Sequence, residues 1–309
     1  MYVPPSDGSC EKGRVSVLEL RASGRDGLLL ASALLQRARL ADPQRGIWDA
    51  ADVQWWWRRP RRSDRVEKLF WVDRRGPVAG VLLTSWTDES WQCDPIVVPR
   101  VPALEPEAVW ERALEEIHAH AEGRVAVPVQ GRDPTFRELA ERSGLVPGQR
   151  SSTAWMDAAG RPSAQSLPDG FTLVDRAQRR DMPHPMRHRN GEAVEERLRE
   201  CPLYAPDLDL AVEASDGSIA GYSLYWYDPA TNAGVIEPAR VEDAYQRRGL
   251  ARAMLTAGLG RLAARGAQRV KIGYETEAAA ALYASIGFRT ISDDTWYEGR
   301  VEHLTGAGT

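Results

Sequence analysis

The chain has 309 residues, 43% hydrophobic and 27% charged, with a formal net charge of −4 and a pI near 5.9. That length suits two domains better than one, and the composition is that of an ordinary globular protein. The acidic balance excludes whole-surface attraction to nucleic acid or an anionic membrane. The longest apolar run, residues 27–35, is too short to cross a bilayer. It also lies behind acidic residues and far from the start, unlike a secretory signal. Cys10, Cys93 and Cys201 form an odd set without metal-ligand spacing, so reduced thiols, a cytoplasmic location and no metal are expected.

Residues 15–20 read as a strand and 26–39 as a helix with apolar spacing. Trp55-Trp56-Trp57-Arg58-Arg59-Pro60-Arg61-Arg62 mixes aromatic and basic residues. With Asp52, Asp64 and Glu67 nearby, it is expected to be a solvated loop beside a packed aromatic cluster rather than a nucleic-acid surface. As a functional element it suits a substrate-facing or interdomain wall. Residues 70–72 and 78–83 form a hairpin around Arg74-Arg75-Gly76. A strand over 91–98, a helix over 107–121, a strand over 125–127 and a helix over 136–143 follow. His118 and His120, two apart on a helix, diverge to the surface.

Residues 157–170 lack apolar periodicity and are rich in turn formers, which marks a linker. Beyond it come a strand over 171–174, a loop or helical region over 181–201, and strands over 208–212 and 219–226. Asp216-Gly217 turns the last two into a hairpin. Asp228-Pro229 leads to a strand over 234–241 that carries Glu237. Leu250, Ala251, Met254, Leu255, Leu259 and Leu262 recur at helical spacing, with Gly258 and Gly260 each costing about 1 kcal/mol against alanine. A strand over 269–274 comes next. Each half thus runs strand, helices, three antiparallel strands, helix, strand, helix. A tandem duplication is expected, with domains 1–157 and 158–309. Its class is α/β (α+β): two mixed, largely antiparallel twisted sheets flanked by helices.

Between strand and helix stands Gln246-Arg247-Arg248-Gly249-Leu250-Ala251. The helix start offers unpaired N–H groups and partial positive charge, Gly249 permits close backbone approach, and Arg247 and Arg248 add cationic donors. A pyrophosphate on a larger cofactor suits that turn. A second element, Ala281-Leu282-Tyr283-Ala284-Ser285-Ile286-Gly287-Phe288, follows one helix and one strand later. The first motif fits Gln/Arg-x-x-Gly-x-Gly/Ala and the second Leu-Tyr-x-x-x-Gly-Phe. In this order they resemble the GNAT superfamily of acyl-CoA-dependent N-acetyltransferases over roughly residues 170 to 298.

The resemblance implies acetyl-CoA as co-substrate, its pyrophosphate on Gln246, Arg247, Arg248, Gly249, Leu250 and Ala251. Its pantetheine arm would pair with the backbone of Ala239, Arg240 and Val241. Thr276 stands where the family often has asparagine. Glu237 is the candidate base and Tyr283 the candidate proton donor to the departing thiolate. The implied partner is a small-molecule primary amine whose identity stays open, as does the oligomeric state. A non-catalytic acyl-CoA-binding or sensor module is the alternative. In the first half the matching segment, residues 98–106, has no glycine and three prolines without N–H donors. That half is expected to have lost acyl-CoA and to serve structure or substrate shaping. His184, Arg187 and Arg189, on a segment before the core strands, are either contacts for an anionic part of the substrate or an exposed polar loop.

Overall fold

The computed structural model describes residues 17–101 and 104–306. In the first half, β1 (Leu18–Ala22) is followed by α1 (Gly24–Ala41), α2 (Ala50–Trp56), β2 (Lys68–Asp73), β3 (Gly76–Thr87) and β4 (Ser90–Val97). Then come α3 (Pro106–His120), β5 (Arg124–Gln130), α4 (Pro134–Arg142) and β6 (Val146–Asp157). The second half runs β7 (Phe171–Asp175), α5 (Arg187–Asn190), α6 (Val194–Arg199), β8 (Asp209–Ala214), β9 (Ile219–Asp228) and β10 (Ala233–Val241). It closes with α7 (Leu250–Ala264), β11 (Arg269–Tyr274), α8 (Glu277–Ile286) and β12 (Arg289–Arg300). Element for element, the order is the same. Cys10 and the first two residues of the strand expected over 15–20 lie outside the described residues, as do Pro102 and Ala103.

Local chemistry sets the helix ends. Pro106 and Pro134 open α3 and α4, and Asp133 caps α4 by accepting from the Phe136 amide at 3.2 Å. Helix α2 begins with a capping box in which the Asp52 carboxylate accepts from the Asp49 amide at 2.6 Å. The tryptophans of residues 55–57 form the packed aromatic cluster, on a buried helix and its cap, and residues 58–62 follow as a partly exposed turn. Three successive aromatic side chains bury enough apolar surface to hold a helix of only seven residues.

All strands join one 12-stranded sheet in the order β1-β2-β3-β4-β5-β12-β6-β11-β10-β9-β8-β7. The last strand of each half sits in the other. Strand β6 pairs antiparallel with β11 from Ser152–Tyr274 to Asp157–Arg269, and β12 pairs antiparallel with β5. The two exchanged strands also pair with each other. The cores record the same exchange. Tyr297, Val301 and Leu304 pack among the residues of α3 and α4, whereas Ala154 and Met156 pack beneath α7 and α8. A third cluster is shared: Leu34, Trp55 and Trp56 of the first half pack with Leu198, Tyr222 and Trp226 of the second.

Candidate active site

Strands β10 and β11 run parallel from Ala233–Arg269 to Ile236–Ile272 and then part. Beyond that point β10 stays with β9, resuming at Ala239–Ser223 after an irregularity, while β11 stays with β6 through Gly273 and Tyr274. Glu237 is the first β10 residue past the parting. Pro238 follows it without an N–H, and among the described residues the inner edge of β10 over Ala239, Arg240 and Val241 carries no strand partner. The opening widens into a cavity of about 1120 Å³ whose walls include Glu237, Ala239, Arg240, Gln246 and Thr276.

At the head of α7, Arg247 and Gly249 adopt left-handed backbone, φ 63° and 82°. A Cβ built on Gly249 meets no atom within 4 Å. Leu250 is buried, but Gln246, Arg247, Arg248 and Gly249 are exposed. The first α7 ladder bond is the Ala253 amide to the Gly249 carbonyl at 3.1 Å, so the N–H groups of Leu250 and Ala251 precede the ladder. An open turn, two flanking guanidinium groups and an unpaired strand edge fit the pyrophosphate and amide-bearing arm of acetyl-CoA.

The second motif packs behind the wall formed by Tyr274, Glu275 and Thr276 and does not itself line the cavity. Thr276 caps α8, its hydroxyl accepting from the Ala279 amide at 3.2 Å. Gly287 ends the helix at φ 112°, and the Phe288 amide reaches back to the Tyr283 carbonyl at 3.1 Å. Phe288 then packs 6.1 Å from the Tyr283 ring, which also meets Tyr274 on the cavity wall at 6.0 Å. Burial, with help from the Glu237 charge, pushes the Tyr283 phenol up to about 12. It stays protonated at neutral pH.

Glu237 lies deep in the molecule yet keeps partial solvent access through the cavity. Its carbonyl accepts from the Trp226 indole at 2.8 Å. Burial lifts its carboxyl to about 7, with Asp52 pushing the same way; Arg58, Lys271 and the Trp55 side chain pull it back. Three of those four groups come from α2 and the residue just past its C-terminal cap, in the other half of the chain. Helix α2 is held there by Lys271, whose ammonium contacts Asp52 at 2.6 Å, Asp49 at 2.8 Å and the Ile47 carbonyl at 2.7 Å. Arg39 pairs with Asp49 at 2.8 Å. Burial opposes ionisation of Asp49, but Arg39 and Lys271 hold it at about 2.

Sequence reasoning missed Asp52 and Lys271. The one local signal was a lysine between Val270 and Ile272 in an otherwise apolar strand, where a buried cation demands a carboxylate. His184, Arg187 and Arg189 do not reach this cavity. His184 is buried rather than on an exposed polar loop: its Nε2 meets Asp209 at 2.8 Å, and Nδ1 accepts from the Met186 amide at 3.2 Å. Arg187 pairs with Glu192, and Arg189 with Glu242 at 2.7 Å.

The first half has a counterpart of Glu237-Pro238 in Asp94-Pro95. Strands β4 and β5 run parallel from Ser90–Arg124 to Gln92–Ala126 and then part in the same way. Asp94 accepts from the Trp48 indole at 2.7 Å and from Gln92. Burial lifts it, too, to about 7. It borders a separate cavity of about 260 Å³ edged by Val98, Pro99 and Arg100.

The model of the acetyltransferase (GNAT) family matches residues 174–288. The mycothiol acetyltransferase of Clavibacter michiganensis subsp. michiganensis (strain NCPPB 382) is 30% identical over 216 residues, 63% of this chain and 69% of that one. Among solved structures, a tandem GNAT protein from the clavulanic acid biosynthesis pathway superposes with a TM-score of 0.68 at 13% identity, covering 93% of this chain and 99% of that one. A GCN5-related N-acetyltransferase from Sphaerobacter thermophilus gives 0.60 at 18% identity over 92% and 96% of the two chains. No described helix is long and apolar enough to cross a membrane.

Proposed function

Because the chain belongs to the GNAT family of acetyltransferases, with acetyl-CoA as co-substrate, we propose that it acetylates the primary amine of a small molecule by direct attack on the thioester. The observation that carries this reading is Glu237 at the parting of β10 and β11, facing a cavity beside the open turn at Gly249. Similarity to a mycothiol acetyltransferase supports a small-molecule acceptor.

In this reading residues 158–309 hold acetyl-CoA, which supplies an activated acetyl group. The backbone of Ala239, Arg240 and Val241 binds its arm, and amides from Gln246 to Ala251 bind its pyrophosphate. Glu237 removes a proton from the incoming ammonium. A carboxyl lifted to about 7 suits this work better than an ordinary one near 4.3, because base strength and availability balance near neutral pH. Tyr283 keeps its phenolic proton available for the departing sulfur. Residues 1–157 bind no acyl-CoA, since prolines replace the amide turn; they shape the acceptor cleft through α2.

The test is an amine panel read by thiol release, with Tyr283→Phe as the site probe. That variant keeps the ring and its packing, so acetyl-CoA affinity should persist while turnover falls about 10²-fold or more. Wild-type turnover in the variant, with the acceptor in hand, would remove Tyr283 from the chemistry.

A further inference from the structure

Among the described residues, one cation lining the acceptor cleft has no carboxylate within ion-pairing distance. Arg58, two residues past the end of α2, lines the same cavity as Glu237. Its Nε donates to Asn190 at 2.6 Å, one terminal nitrogen donates to the Trp55 carbonyl at 3.0 Å, and the guanidinium stacks on the Trp55 ring at 3.9 Å. Among the described residues no carboxylate lies within ion-pairing distance of it, whereas Lys271 and Arg124 in the same cavity are paired with Asp49, Asp52 and Glu298. Burial, with the Arg59 charge beside it, pulls Arg58 down to about 10 against the opposing pull of Glu237, so it remains charged. Holding a guanidinium in a partly dry wall, stacked and oriented but unpaired, is costly unless a ligand completes it. The contacts to Asn190 and Trp55 fix the plane of the fork, which suits a carboxylate better than a point cation would.

Part of the remaining wall is aromatic, beside polar residues such as Gln149, Ser151 and Glu298. Trp48, Trp86 and Trp296 all line the cavity and are half-buried. They are linked through edge contacts: Trp48 meets Trp296 at 6.0 Å and Trp56 at 4.9 Å, and Trp56 meets Trp86 at 5.7 Å. Rings locked by edge packing offer rigid surface at little entropic cost, and a flat group is what they accept.

The geometry points to an acceptor that carries a carboxylate and a flat ring on the same molecule as its amine: an aromatic amino acid or close analogue, with Arg58 taking the carboxylate, Glu237 the ammonium, and Trp48, Trp86 and Trp296 the ring. This rests on the acetyl-transfer reading above and narrows it. The charge pattern is complementary to a zwitterion, one fixed cation and one titratable carboxylate on facing elements.

The experiment measures kcat/KM by thiol release for tryptophan and phenylalanine, their decarboxylated amines tryptamine and phenethylamine, and alanine, which keeps the carboxylate but lacks the ring. The intact protein should favour the aromatic amino acids over both comparison sets. Arg58→Ala should cut the amino-acid-to-amine ratio on the order of 10- to 100-fold, the worth of a charge-assisted hydrogen bond. Arg58→Lys should recover part of it. Taking the ratio cancels any effect of Arg58 on Glu237. Trp86→Leu should reduce the preference for tryptophan over alanine. Decarboxylated amines used as well as their amino acids by the unaltered protein, or a ratio unmoved in Arg58→Ala, overturns the inference while leaving acetyl transfer standing. No amine-dependent thiol release from any member of the panel overturns both.

Discussion

Replacing Glu237 with glutamine removes the base and keeps nearly the same shape, so its effect should follow pH in a way the structure sets. With the carboxyl at about 7, roughly one tenth is ionised at pH 6, half at pH 7 and nine tenths at pH 8. An ordinary glutamate near 4.3 would be almost fully ionised throughout. General-base catalysis contributes about 10²–10⁴-fold. Glu237→Gln should therefore lower kcat/KM for the acceptor by about 10²-fold or more near pH 7–8. Below about pH 7 the gap levels off, because the unaltered protein loses its ionised base as fast as the variant loses free amine. Above about pH 7 it narrows steadily, since amines of pKa near 10 supply more of their own free form. A glutamate of ordinary pKa would instead let the gap keep growing toward pH 5. The assay is thiol release across pH 5.5 to 9.5 with both proteins. A ratio unchanged over the whole range, or one that keeps growing below pH 6, would refute the assignment of Glu237 as a base titrating near 7.

Gly249→Val forces a β-branched residue into φ 82° and places its side chain in the open space of the turn; calorimetry should show acetyl-CoA binding weakened at least about tenfold. In the unaltered protein the same titration should give one site per chain, and two equal sites would refute loss of acyl-CoA from the first half. Two glycines of α7 should respond oppositely to alanine: a Cβ on Gly258 would lie 2.1 Å from the buried Tyr225 ring, whereas one on Gly260 meets nothing within 4 Å. Urea unfolding should show Gly258→Ala destabilised by about 1–3 kcal/mol or more and Gly260→Ala stabilised by about 1 kcal/mol. Asp94 is raised in the folded state from 3.8 to about 7, so its contribution to stability is fully present below the unfolded pKa and is lost as pH rises to 7. Asp94→Asn should gain stability relative to the unaltered protein between pH 5 and pH 8, by about 3 kcal/mol, and a pH-independent difference would contradict that shift.

The elements with local signals were readable from residues alone. The hairpin at Asp216-Gly217, the apolar stripe of α7 and the turn at Gly249 each follow from short-range chemistry. Strand β6 was not foreseen, because Val146-Pro147-Gly148-Gln149-Arg150-Ser151 has neither alternation nor β-branched enrichment; it forms because β11 and β12 offer it two edges. The exchange of β6 and β12 lies wholly in long-range pairing, where both choices of partner satisfy the same strand pattern. The contribution of α2 to the site was equally hidden. Asp52 and Arg58 reach Glu237 across about 180 residues of chain, and the shared core under Trp55 and Trp226, with the Lys271 pairs to Asp49 and Asp52, brings them together.

The exchanged strands also decide how the cleft can be used. The joint between the halves is not the linker over residues 161–168 but the continuous ladders β5–β12, β12–β6 and β6–β11. Swinging the halves apart as rigid bodies would tear those ladders, so the gap between α2 and β10 behaves as a slot of set width, not as a jaw. Admission of acceptor and discharge of product then fall to side chains and loops at the rim. Cutting the linker would give two fragments that still clasp each other, while either one produced alone would expose an uncovered strand edge at its centre.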